Sequence, residues 1–171
     1  MTQAILHAPV PLFTAQATPN KTIQLVDYLG KNVLLYFYPK DNTPGCTQQA
    51  QAFSDYHAQF RALNTVILGV SRDTLSAHQR FKAKHELPFE LIADTDETLC
   101  QLFDVIKLKN MYGKQVRGIE RSSFLINPAG VLVHAWRKVK VAGHCQTIID
   151  FFRSQSNLGN VDDLSMRYGG Q

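Results

Sequence analysis

Residues 33–38, Val33-Leu34-Leu35-Tyr36-Phe37-Tyr38, form a continuous run of β-favouring residues that Pro39 ends. A run this short with no polar alternation predicts a strand buried on both faces. Thr65-Val66-Ile67-Leu68-Gly69-Val70 repeats the pattern. Between the two, Phe53, Tyr56, Phe60 and Leu63 recur at helical spacing and share one face. Strand, helix, strand at this spacing is a βαβ unit, which predicts a parallel pair with a right-handed crossover.

The remaining segments carry weaker patterns. Residues 1–20, rich in Pro, Thr and Gln, read as an irregular lead-in, and Lys21 to Leu25 alternates like a short strand. Residues 74–86 predict a second helix with Asp73 as N-cap. His78 and His85, seven apart on it, read as part of its solvated face. Phe89 to Ala93 reads as a strand, Asp94 to Phe103 as a short helix, and the polar, glycine-containing stretch 106–121 as a loop. Ser123 to Asn127 and Val131 to Trp136 predict a hairpin around Asn127-Pro128-Ala129-Gly130. Thr147 to Arg153 predicts a last helix, and Ser154 to Gln171 a flexible C-terminal tail. The expected organisation is one domain over residues 1–153 followed by that tail. The fold class is α/β: a central mixed β-sheet flanked by helices, compatible with a thioredoxin-like fold.

Composition narrows the function classes. The chain has 171 residues, 44% hydrophobic and 19% charged, enough for a full core without a metal or disulfides. Its net charge of +4 is spread without a block of like charges, so no nucleic-acid partner is expected. No apolar run approaches the ~18 residues of a membrane span, and no leader pattern is expected at the N-terminus. The three cysteines, Cys46, Cys100 and Cys145, are widely spaced and form no C-x-x-C. That excludes a zinc ribbon and a thioredoxin-type dithiol, and predicts reduced thiols in a cytoplasmic setting.

Cys46 stands where the turn Thr43-Pro44-Gly45 becomes a helix. An ordinary cysteine is only ~3% thiolate at neutral pH, and the thiolate is the nucleophile. The unpaired N–H groups and partial positive charge of a helix start favour that form. Reduction of a peroxide needs more: an O–O bond held in line with the sulfur, and donors for the leaving oxygen. Thr43 can turn its hydroxyl toward the sulfur, the N–H groups of Gly45 and Cys46 can aim at the same point, and Pro39 can shield it from water. A distant arginine would complete the charge balance. His57, three helical turns from Cys46, is too far to act as its base.

The segment Pro39-x-x-x-Thr43-x-x-Cys46 resembles the active-site signature of the peroxiredoxins. Its surroundings, Tyr36 to Thr47, resemble the Q-type branch, also called bacterioferritin comigratory proteins. The similarity continues through Leu91-Ile92-Ala93-Asp94, Arg121-Ser122-Ser123-Phe124-Leu125-Ile126, Gly130 and Gly143-His144. The resemblance implies an antioxidant peroxidase with a thioredoxin-like fold. In it Cys46 is oxidised to sulfenic acid, Thr43 and Arg121 orient and polarise the peroxide, and Pro39 shields the sulfur. It implies hydrogen peroxide and organic hydroperoxides as substrates, thioredoxin or a similar thiol as reductant, and no metal or organic cofactor; a monomer or weak homodimer is expected.

Two positions depart from the branch. Gln51 stands where many members carry a resolving cysteine, and Gln49 where the branch has glutamate. Cys100, beside Leu99, Leu102 and Phe103, and Cys145, beside His144, read first as small buried residues. The simplest cycle then uses a single cysteine, with an external thiol attacking the Cys46 sulfenic acid. The alternatives are a non-enzymatic redox sensor that passes oxidation to a partner, which turnover with a reductant would separate, and a thioredoxin-like binding or holdase module with an incidental cysteine.

Overall fold

The computed structural model describes residues 3–158. Its strands are β1 (Thr14–Ala17), β2 (Lys21–Gln24), β3 (Asn32–Phe37), β4 (Thr65–Ser71), β5 (Glu90–Ala93), β6 (Ile106–Met111), β7 (Lys114–Ile119), β8 (Ser122–Ile126) and β9 (Leu132–Trp136). Its helices are α1 (Pro44–Ala62), α2 (Leu75–His85), α3 (Thr98–Leu102) and α4 (His144–Leu158), with a 3₁₀ turn over Leu25–Tyr28. The chain divides into two compact units, Met1–Val141 and Ala142–Gln171.

In the first unit, seven strands form one mixed sheet in the order β2-β1-β5-β4-β3-β8-β9. The expected βαβ unit is present: β3 and β4 pair in parallel from Asn32↔Thr65 to Phe37↔Val70. Strand β8 lies antiparallel on the other side of β3, with Phe37 opposite Ser122. The continuous apolar run of β3 follows from its central place. Val33, Leu35 and Phe37 enter a core that includes Leu99, Cys100 and Phe103 of the α3 region. The alternate residues face the other way, where Tyr36 stacks on Phe53 of α1 at 4.4 Å between ring centroids. A strand covered on both faces needs apolar residues at every position.

In the first unit, four expectations change. The lead-in contains strand β1, which pairs with both β2 and β5. The stretch 106–121, expected as a loop, contains the hairpin β6–β7, turned by Tyr112 and Gly113, both with positive φ. Positive φ at both central residues matches the twist of a two-residue hairpin. The N-cap of α2 is Thr74, whose hydroxyl accepts the Ala77 N–H at 3.1 Å; the Asp73 carboxylate instead accepts from the Asp41 N–H. His78 is fully buried rather than solvated.

In the second unit, α4 extends beyond Thr147–Arg153 at both ends and reaches Leu158, with Cys145, Ile148 and Ile149 buried. The part of the expected tail from 159 to 171 lies outside the described residues. Among the described residues, no helix is long and apolar enough to cross a membrane.

Candidate active site

Tyr38 and Pro39 follow β3, and the segment from Pro39 to Thr43 carries the chain into α1. Thr43 caps the helix with extended backbone, Pro44 takes the first helical position, and Cys46 falls in the first turn. Proline suits that position because its missing N–H would have no helical partner. The first helical bond runs from the Thr47 N–H to the Thr43 carbonyl at 2.9 Å. The N–H groups of Gly45 and Cys46 therefore belong to the helix start, where no intrahelical acceptor exists.

The Cys46 side chain is 2% exposed, and the sulfur is met by a residue from far along the chain. Arg121 lies between β7 and β8, and its Nη2 donates to the Cys46 Sγ at 3.5 Å while its Nη1 donates to the Gln49 Oε1 at 2.6 Å. The sheet explains the meeting. Because Phe37 pairs with Ser122, Arg121 stands one residue beyond the ladder, level with the end of β3 where the loop to α1 begins. Gln49 is buried on α1 three residues after Cys46, so the two share a helix face. An arginine only donates, so the Gln49 oxygen must face it, and among the described residues Gln49 Nε2 has no acceptor. Glycine at 45 makes room: a Cβ there would stand 3.3 Å from Arg121 Nη2.

Thr43 does not use its side chain as a helix cap. Its hydroxyl donates to the Lys40 carbonyl at 2.8 Å, which leaves the oxygen lone pairs as its remaining hydrogen-bonding capacity. Pro39 is half-buried at the other end of the loop and lines a polar recess with Lys40, Arg72, Asp73, Thr95 and Glu97. Of the four residues expected at the site, Arg121 and Cys46 are in direct contact, and Pro39 and Thr43 bound the loop that leads to the thiol.

The other cysteines sit in different surroundings. Cys100 is buried in the core, and its N–H donates to Asp94 Oδ2 at 2.8 Å. Burial, reinforced by the Asp94 carboxylate, pushes its thiol well above the usual cysteine range. Cys145 is buried at the start of α4. No disulfide joins any of the three cysteines. Gln51 is exposed on α1.

One cluster was not anticipated. Asp41, in the loop, bonds to His78 of α2 and to Tyr38 just after β3, and all three are buried. The helical period of α2 held a signal for it: His78 and Phe81, three apart, are its two buried residues. Asp41, Asp73 and His78 each bring one atom within 4.8 Å of the others, the spacing of a metal site. Both ring nitrogens of His78 and both Asp41 oxygens already hold hydrogen bonds within the protein, so a network of side chains accounts for the cluster.

Residues 6–135 match the AhpC/TSA family. The chain belongs to that family. It is 48% identical over 151 residues to Peroxiredoxin Bcp of Xanthomonas campestris, covering 87% of this chain and 94% of that protein. It is 49% identical over 136 residues to Peroxiredoxin Bcp of Bacillus subtilis, covering 80% and 87%. A solved structure of the bacterioferritin comigratory protein of X. campestris, from work on the alkyl peroxide reduction activity of that protein, matches with a TM-score of 0.83 and 44% identity over 90% of this chain and 99% of that one. The AhpC/TSA chain described here is thus a peroxiredoxin of the Q-type branch and a thiol peroxidase, with the mixed sheet and flanking helices of the thioredoxin-like fold.

Proposed function

We propose that Cys46 is the peroxidatic thiol and that the protein reduces hydrogen peroxide and organic hydroperoxides with electrons from thioredoxin or a similar thiol. The observation that carries this reading is the Arg121 guanidinium, which touches the Cys46 sulfur and is itself held by Gln49. A fixed positive charge at that point stabilises the thiolate and the negative charge that develops on the peroxide oxygens. The thiolate attacks the nearer oxygen, the O–O bond breaks, and the departing oxygen takes a proton as water or alcohol, leaving Cys46 as sulfenic acid. Thr43 accepts a hydrogen bond from the hydroperoxide O–H, and Pro39 limits access of water to the sulfur.

The second half of the cycle consumes two reductant thiols. The first displaces water from the sulfenic acid and forms a mixed disulfide, and the second releases Cys46 and leaves with the first as a disulfide. Two features support an external first thiol: position 51 is glutamine, and burial beside Asp94 disfavours the Cys100 thiolate. In this reading the enzyme works in the cytoplasm as a monomer or weak homodimer, without a metal or organic cofactor.

The test uses the reduced wild type and the Cys46→Ser, Cys100→Ser and Cys145→Ser variants with one equivalent of hydrogen peroxide, dimedone as the sulfenic acid trap and intact mass as the readout. Loss of peroxide consumption in Cys46→Ser alone, with one dimedone adduct on the wild type, is expected. A disulfide that disappears in Cys100→Ser or Cys145→Ser would replace the single-cysteine cycle, and an active Cys46→Ser would overturn the assignment of the thiol.

A further inference from the structure

The peptide between Lys40 and Asp41 is held at both ends. Its N–H donates to Asp73 Oδ2 at 3.0 Å, and its carbonyl accepts the Thr43 hydroxyl at 2.8 Å. A peptide unit is planar, so fixing its N–H also fixes the direction of its carbonyl. The Asp41 side chain is fixed as well. Its Oδ1 accepts the Tyr38 hydroxyl at 2.7 Å, and its Oδ2 lies 2.7 Å from His78 Nδ1. Burial, with Tyr36 and Asp41 nearby, pushes the Tyr38 phenol well above its ordinary range, which keeps it a donor.

His78 anchors this assembly to the sheet. Its Nε2 meets the Ile92 carbonyl of β5 at 2.9 Å. A carbonyl only accepts, so Nε2 donates to it, and Nδ1 faces the Asp41 carboxylate. The ring, buried with Asp41, therefore joins a strand carbonyl to the loop side chain through bonds of 2.9 and 2.7 Å. This anchor acts two residues before Thr43.

We infer that His78 is a positioning residue of the peroxidatic site: by clamping Asp41 it holds the Lys40–Asp41 peptide, and through the Lys40 carbonyl it holds the Thr43 hydroxyl with its lone pairs free for the hydroperoxide O–H. The inference rests on Cys46 and Thr43 acting as proposed above. It requires that loss of the His78 ring disturb the handling of the peroxide more than the reactivity of the sulfur. Alkylation by iodoacetamide needs the thiolate but no hydroxyl partner for an O–O bond, so it separates the two.

The experiment compares full-length wild type, His78→Ala, His78→Gln, Phe81→Ala and Cys46→Ser. For each folded variant, far-UV circular dichroism checks the fold, and two second-order rates are measured: with hydrogen peroxide and with iodoacetamide at Cys46. Phe81→Ala creates a cavity on the same helix without touching the loop network, so it reports destabilisation alone. In His78→Ala the peroxide rate should fall about tenfold or more, with alkylation changed less than about twofold. Phe81→Ala should keep both rates. If His78→Ala does not fold, His78→Gln, which retains a donor, should show the same selective loss to a smaller degree. An unchanged peroxide rate, or equal losses in the two reactions, overturns the role of His78. Peroxide consumption by Cys46→Ser would instead overturn the reading on which it rests.

Discussion

The Arg121 guanidinium donates to the Cys46 sulfur at 3.5 Å across a separation of 75 residues. Its other terminal nitrogen is occupied by Gln49, so both must be served at once for the charge to stay in place. A lysine has one nitrogen and no planar fork. Arg121→Lys should therefore lower the rate with hydrogen peroxide by about 10- to 100-fold while leaving the fold intact. Stopped-flow peroxide reduction checks this, and a lysine variant as fast as wild type would show that the contact is dispensable.

Cys100 should be silent in catalysis. Its raised thiol and core position predict slow alkylation relative to Cys46. Cys100→Ser should keep the wild-type peroxide rate but lose stability, by about 1–3 kcal/mol, because a hydroxyl replaces an apolar-packed thiol. Rate-resolved mass spectrometry of alkylation and urea unfolding measure the two effects.

Glu97 links the β6–β7 hairpin to the start of α3. It receives both terminal nitrogens of Arg117 of β7, and Arg72 Nη1 at 3.0 Å. The Arg117 hydrogen bond leads in holding its carboxyl at about 2, below the ordinary 4.5, against an opposing effect of burial and with help from Arg72. A depressed carboxyl contributes stability above its unfolded value and loses it as pH falls through the folded one. The contribution is thus complete above about pH 4.5 and disappears toward about pH 2. Glu97→Gln should be less stable than wild type at neutral pH, with the gap closing toward about pH 2. Denaturant unfolding across that range tests it, and a gap independent of pH would contradict the assignment.

Gly69 of β4 pairs with Tyr36 of β3. A Cβ at 69 would lie 2.8 Å from Leu91 Cδ2 and 2.9 Å from the Tyr36 ring, inside the packed layer beneath α1. Gly69→Ala should destabilise by about 1–3 kcal/mol through overpacking. Thermal unfolding should register the loss, and the rate at Cys46 below the transition should stay near that of wild type.

Much of the architecture was legible because it depends on local pattern. The runs at 33–38 and 65–70 identified two central strands, since a strand buried on both faces leaves a mark no loop imitates. The turn from Pro39 to Gly45 placed Cys46 at a helix start for a similarly local reason: proline and glycine restrict the backbone wherever they stand. The hairpin at 106–119 escaped notice because its strands are largely exposed and carry Lys107, Lys109, Lys114 and Arg117, so burial imposed no period on them. His78 was misread because one polar residue on an amphipathic helix looks solvated until its partners are known.

By itself, the sequence determined the central strands, the cysteine at the helix start, the residues that bound its loop and the family resemblance, because each rests on neighbours a few positions apart. Only the tertiary structure decided what surrounds the sulfur. The antiparallel register of β8 on β3 brings Arg121 to Cys46, and the packing of α2 against β5 brings His78 to Asp41. Contacts between residues 75 and 37 positions apart depend on strand register and on which helix face is buried. Those are properties of the assembled sheet and its core, and no short window of the chain encodes them.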